Sequence, residues 1–70
     1  MTWTKNVFSS MVSEVGWDEE TNDLLITWAT GKKGAYSDVP EEVAVRLSNA
    51  ASVGRMINEE IKPNYKYRKQ

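Results

Sequence analysis

Two runs of alternating residues, Met11 to Trp17 and Leu24 to Thr30, flank the polar hexapeptide Asp18-Glu19-Glu20-Thr21-Asn22-Asp23. A chain written this way turns back on itself as a β-hairpin: a period of two sends alternate side chains to opposite faces, and the turn-forming residues in between end both strands. In the first run Met11, Ser13, Val15 and Trp17 share one face and Val12, Glu14 and Gly16 the other. In the second, Leu24, Ile26 and Trp28 share a face, and the β-branched and aromatic content suits a pleated, half-buried surface. Gly31-Lys32-Lys33-Gly34 is a second turn candidate, with glycines free to take positive φ, and residues 35–39 follow as a third strand. The simplest topology is a three-stranded antiparallel meander.

Pro40 ends the extended stretch and suits the first turn of a helix, where its missing N–H loses nothing. Glu41 and Glu42 follow, where the positive end of the helix dipole favours carboxylates. The spacing of Val43, Leu47 and Ala50, joined by Val39, predicts a helix over residues 40–51 with one face on the sheet and Arg46 and Asn49 in water. Ser52 stands as N-cap of a second helix over 53–61, with Val53, Met56, Ile57 and Ile61 as its apolar stripe and Pro63 as its stop. The expected fold class is α+β, a three-stranded antiparallel β-meander followed by two short helices packed on one face. Seventy residues make one domain with one core, for which a second copy of the chain is a natural support. That core is expected over residues 7–67, with 1–6 and 68–70 as tails.

Composition enters where chemistry is asked for. With no cysteine and no histidine there is no disulfide, no thiolate nucleophile, no imidazole metal ligand and no ordinary proton shuttle near neutral pH. Asp18, Glu19, Glu20 and Asp23 lack the ligand spacing and glycine of a calcium loop and read as a solvated turn. The adjacent pairs Glu41-Glu42 and Glu59-Glu60 diverge by about 100° on a helix and make no acid–base dyad. The serines have no histidine to activate them, and Lys32-Lys33 precedes a strand without the ending of a phosphate-binding P-loop. Catalysis is not expected, nor is a cofactor or a metal. No apolar run reaches the length of a leader or a membrane span, so the expectation is a cytoplasmic protein with no membrane partner.

The net charge of −1 hides a split. Residues 1–60 carry five bases against ten acids, a balance of −5, whereas residues 61–70 carry four bases and no acid, +4. A long footprint on duplex DNA needs a broad basic face, which an acidic body does not offer. The tail interleaves tyrosines with cations, from Lys62 through Tyr65, Lys66 and Tyr67 to Lys69. That composition suits stacking on bases while holding phosphates, and it also suits a solvated chain end whose tyrosines pack back on the domain.

The strings Val39-Pro40, Ala50-Ala51-Ser52-Val53-Gly54, Asn58, Ile61 and Tyr65-x-Tyr67 occur in order, with Ser9-Ser10 ahead of the first strand and Trp17 before Asp18. In these the sequence resembles the KTSC domain family, a small domain named after the C-terminus of some lysyl-tRNA synthetases and also found alone in bacterial and phage proteins. The resemblance covers residues 7–67. Two features depart from the family pattern. Of its central Tyr-x-Tyr only Tyr36 is present, with Gly34 in the first position, and Met56 and Ile57 replace the aromatic that follows the Ser-x-Gly segment. The resemblance implies the fold, a proposed role in RNA binding and no enzymatic activity.

The residues themselves offer one candidate site. If Ser52 caps the second helix, the N–H groups of Val53, Gly54 and Arg55 point out of its N-terminus, Gly54 leaves room for close approach, Arg55 adds a phosphate-matching fork and Asn58 follows one turn later. Lys62 and Tyr65 join them from the tail, and Tyr36 offers a stacking ring if it faces solvent. The plainer alternative is that Ser52 only caps, Gly54 only lets two segments pass, Arg55 pairs with Glu59 at i+4 and Tyr36 is core. Trp17 and Trp28 read as core, and Trp3 as a contact for a second copy or a ligand.

The expected function is a non-enzymatic binding module for phosphate-bearing ligands, short single-stranded RNA or a small nucleotide, which a stand-alone domain could sequester. The alternative is a protein-interaction module or phage-type inhibitor that docks its acidic body on a basic partner. A homodimer through a sheet edge or Trp3 is compatible with either.

Overall fold

The sheet has five strands where the alternation pattern predicts three. In the computed structural model, which describes residues 2–69, these are β1 (Trp3–Asn6), β2 (Val12–Asp18), β3 (Asp23–Trp28), β4 (Lys33–Tyr36) and β5 (Tyr67–Lys69), in the order β1-β2-β3-β4-β5 with every neighbouring pair antiparallel. The helical segments α1 (Glu41–Ser48), α2 (Val53–Met56) and a π-helical turn (Ile57–Ile61) lie between β4 and β5. The class is thus α+β with an antiparallel sheet and two helices. The expected tails are the two edge strands. Each is too short and too polar to show a period, but β1 pairs along its whole length with β2, and β5 with β4.

One row of paired residues, Trp3, Trp17, Leu24, Tyr36 and Tyr67, crosses the sheet on the face that the helices cover. Between the sheet and the helical segments, Val12, Val15, Leu24 and Ile26 from the strands and Leu47, Ile57 and Ile61 from the helical side are almost fully buried. Val12 is a correction to the simple alternation, which set it opposite Val15. The register slips between Val12 and Glu14, where Ser13 is an extra residue, and such a bulge puts Val12 back in phase with the core, while Met11 ahead of it stays partly exposed beside Gly54. The indole N–H groups are all bonded: Trp17 to the Val39 carbonyl at 2.7 Å, Trp3 to Glu41 Oε2 at 3.1 Å and Trp28 to the Tyr67 hydroxyl at 3.0 Å. Trp3, expected as an outside contact, is a strand residue packed against the core.

α1 is shorter than the predicted span and buries Ala44 and Leu47. The predicted second helix starts at Val53 as expected, then widens: the Lys62 N–H reaches back five residues to the Ile57 carbonyl at 2.7 Å. Widening to i→i−5 keeps Ile57 and Ile61, four apart, on the buried side together.

A meander places its turns alternately at the two ends of the sheet. The β2–β3 turn (residues 19–22) and the β4–α1 connection share one end, joined by the Val39 N–H to the Asn22 carbonyl at 2.9 Å. The β3–β4 turn (residues 29–32) lies at the other end, and the antiparallel register brings Lys69 beside Gly34 and so towards it. Six of the ten carboxylates, Asp18, Glu19, Glu20, Asp38, Glu41 and Glu42, belong to the first end. Asp23 is no solvated turn residue: it opens β3, is 6 % exposed and pairs with Arg68 of β5.

Candidate functional site

Ser52, Gly54, Arg55 and Asn58 come together, lining a recess of about 380 Å³ whose other wall is the β1–β2 loop from Phe8 to Met11. Two of these residues also have partners within the fold. A Cβ on Gly54 would stand 3.0 Å from the Met11 sulfur, so the methionine side chain lies against the helix at the glycine. Arg55 Nε donates to both Glu59 oxygens, at 2.9 and 3.4 Å, which is the i, i+4 pair. Ser52 holds the N-cap position without a side-chain capping bond, and α2 itself is a single turn of four residues.

Lys62, Tyr65 and Tyr36 line no part of this recess. Lys62 is exposed after the π-helical turn, and Tyr65 is half-buried against the core. Tyr36 is 4 % exposed and pairs with Leu24 on the covered face, so its ring is core and not a surface platform. Burial raises its hydroxyl above the ordinary tyrosine range, and the neighbouring Tyr67 adds to the effect. Phe8, on the rim of the recess, is fully exposed.

A second recess, of about 590 Å³, opens at the other edge of the sheet and is lined by Trp28, Thr30, Gly31, Lys32, Lys33, Tyr67 and Lys69. Its construction follows from local rules. Trp28 and Lys32 close a three-residue turn through the Trp28 N–H to the Lys32 carbonyl at 2.8 Å, and Gly31 takes φ 93°, as the last position of such a turn requires. Tyr67 enters from β5 and lies across Gly34, where a Cβ would overlap its ring. Its hydroxyl accepts the Trp28 indole N–H, and the two rings meet edge to face at 66° with centroids 6.4 Å apart. Behind it stands Tyr36, 4.9 Å between ring centroids.

The cations divide by type. All three arginines are committed to carboxylates, Arg46 to Glu60, Arg55 to Glu59 and Arg68 to Asp23. Among the described residues Lys32, Lys33 and Lys69 have no ion pair and are exposed. Sequence reasoning passed over this group because the contact joins a turn to a segment read as a tail. The one available signal was Tyr65-x-Tyr67-x-Lys69, a period of two in the basic stretch.

The sequence profile of the KTSC domain matches residues 8–65. The chain belongs to the KTSC domain family. A relative of this KTSC domain, an uncharacterized protein of Stutzerimonas stutzeri (strain A1501), is 37 % identical over 60 residues, 84 % of each chain. The crystal structure of a KTSC domain protein from Yersinia pestis superposes with a TM-score of 0.88 at 27 % identity, covering 100 % of this chain and 99 % of that one. Ser9, Ser10, Ser52, Gly54 and Asn58, among the residues that carry the resemblance, all border the first recess. In this KTSC domain the Tyr67 ring fills the space a side chain at position 34 would take.

Proposed function

We propose that the protein is a non-enzymatic binding module for phosphate-bearing ligands, a short single-stranded RNA segment or a small nucleotide, which it takes up at the lysine end of the sheet. One observation carries the reading. Lys32, Lys33 and Lys69 gather without carboxylate partners around one aromatic recess, in a chain whose carboxylates gather mostly at the far end. An anion is thereby drawn to one place and repelled from the rest. The ligand moves from the helix opening first expected, where Arg55 is held by Glu59, to the β3–β4 turn and β5. Holding a ligand makes and breaks no bond, so the domain's mode of action in this reading is to sequester it.

Titrating tripolyphosphate, nucleotides and RNA hexamers into ¹⁵N-labelled protein at low salt tests this. Amide shifts at Thr30–Lys33 and Tyr67–Lys69 are expected, unchanged in Arg55→Ala and lost in the double variant Lys32→Glu, Lys69→Glu. No shifts there at millimolar ligand overturn the reading. The same polarity favours a second reading, in which the acidic end docks on a basic protein. Charge reversal at Glu20, Glu41 and Glu42 would then abolish capture of that partner while the lysine double variant keeps it.

A further inference from the structure

We infer that the recess between the β3–β4 turn and β5 recognises a nucleobase as well as a phosphate, with the base lodged in the corner between Trp28 and Tyr67 and the phosphate held by Lys32 and Lys69. The inference rests on the phosphate-binding reading and deepens it by giving the base of such a ligand its own place in the recess, apart from the lysines that hold the phosphate. Two rings inclined at 66° form a corner in which a flat ring stacked on one meets the edge of the other, the two arrangements aromatic pairs favour. Tyr67 is 39 % exposed in spite of its ring contacts with Trp28 and Tyr36, and both Tyr67 and Trp28 line the recess, so both present surface to a ligand there. The corner is held from within by the bond from Trp28 Nε1 to the Tyr67 hydroxyl, so it exists before a ligand arrives and its indole donor is already engaged. What remains for a ligand is π-surface and positive charge. That combination binds unpaired bases with little regard to their identity and does not read a duplex, whose bases are stacked away.

The lysines are not equivalent. Lys69 lies on the covered face beside Gly34, the face from which Tyr67 and Trp28 project, whereas Lys33, paired with Thr27, alternates to the opposite face and meets the recess at its rim. Lys32 sits on the turn directly across from Trp28. The volume, about 590 Å³, falls in the range of roughly 300–1,000 Å³ usual for small-ligand sites and admits one nucleotide unit.

The decisive comparison is adenosine triphosphate against inorganic tripolyphosphate, which differ by the nucleoside. Base stacking contributes about 1–3 kcal/mol, so ATP is expected to bind at least about fivefold more tightly, to quench tryptophan fluorescence and to show upfield shifts of its adenine protons. Trp28→Leu removes one wall of the corner and should lower ATP binding more than tripolyphosphate binding, bringing the ratio between them towards one. If that variant fails to fold, the adenine proton shifts on the unaltered protein decide the question alone. Equal binding of ATP and tripolyphosphate, without adenine shifts, overturns the base site and leaves the phosphate reading standing; no binding of either removes both. An RNA hexamer that binds more tightly than ATP supports the base site as a stop on a strand, and one that binds no more tightly supports it as a site for free nucleotides.

Discussion

A methyl group at position 34 has nowhere to go but into the Tyr67 ring. Gly34→Ala must either lift Tyr67 off Trp28 or separate β5 from β4, and overpacking of this kind destabilises by about 1–3 kcal/mol. Urea unfolding should show that loss, and combining the change with Tyr67→Ser should recover most of it, because the two positions contend for one space. Tyr36 yields a second residue-level expectation. Its hydroxyl is raised by burial and by Tyr67, so the folded state keeps its proton to higher pH than the unfolded chain does. Its contribution to stability is fully present below the unfolded tyrosine value of about 10 and is lost as pH rises through the higher folded one. The urea midpoint should therefore fall in alkali beyond about pH 10, and Tyr36→Phe should flatten that fall.

At the scale of elements, β5 is tied down by one side-chain pair as well as its ladder. Arg68 reaches across to Asp23, whose side chain is 8 % exposed whereas that of Arg68 is 55 % exposed. Arg68→Ala leaves that carboxylate buried and unpaired, which should destabilise by about 1–3 kcal/mol and weaken protection at the edge first. Charge-neutral Asp23→Asn with Arg68→Ala should be milder. The three central strands and both helical segments are legible in the sequence because each carries its own period or its own boundary residue, as Pro40 does for α1. β1 and β5 are not, since four and three residues of mixed polarity gain their structure only by pairing with a strand already formed. The Ser13 bulge is hidden for a related reason, in that the partner strand sets it. The first candidate site was half legible: adjacency along α2 brought Ser52, Gly54, Arg55 and Asn58 together, but nothing local reveals that Met11 packs over Gly54 or that Tyr36 is covered. The Trp28–Tyr67 corner joins residues 39 apart and was invisible until β5 was placed.

The whole molecule is electrically two-ended, with six carboxylates at one end of the sheet and Lys32, Lys33 and Lys69 at the other. The six residues of β3 span roughly 17–20 Å between those ends. This exceeds the screening length of about 8 Å at physiological salt and is less than the 30 Å reached at 0.01 M. Reversing Glu20 and Glu42 to lysine should therefore leave RNA affinity within twofold at 0.15 M and raise it clearly at 0.01 M. For the protein itself, two lysines on the phosphates of single-stranded RNA predict a slope of log K against log salt of about −1.4, measurable by fluorescence titration.

Half of the aromatic corner comes from β5, which joins the sheet only after the chain has passed through both helices. Three backbone-paired residues at an edge are the first part of such a sheet to exchange their amide hydrogens with solvent. A molecule seated between Trp28 and Tyr67 must wait for that strand to be in place and, once there, holds it in place. Occupancy would thus be recorded as slowed deuterium uptake at Tyr67, Arg68 and Lys69, far from any change in the central strands, and the domain would carry at its rim a seam that its own cargo sews shut.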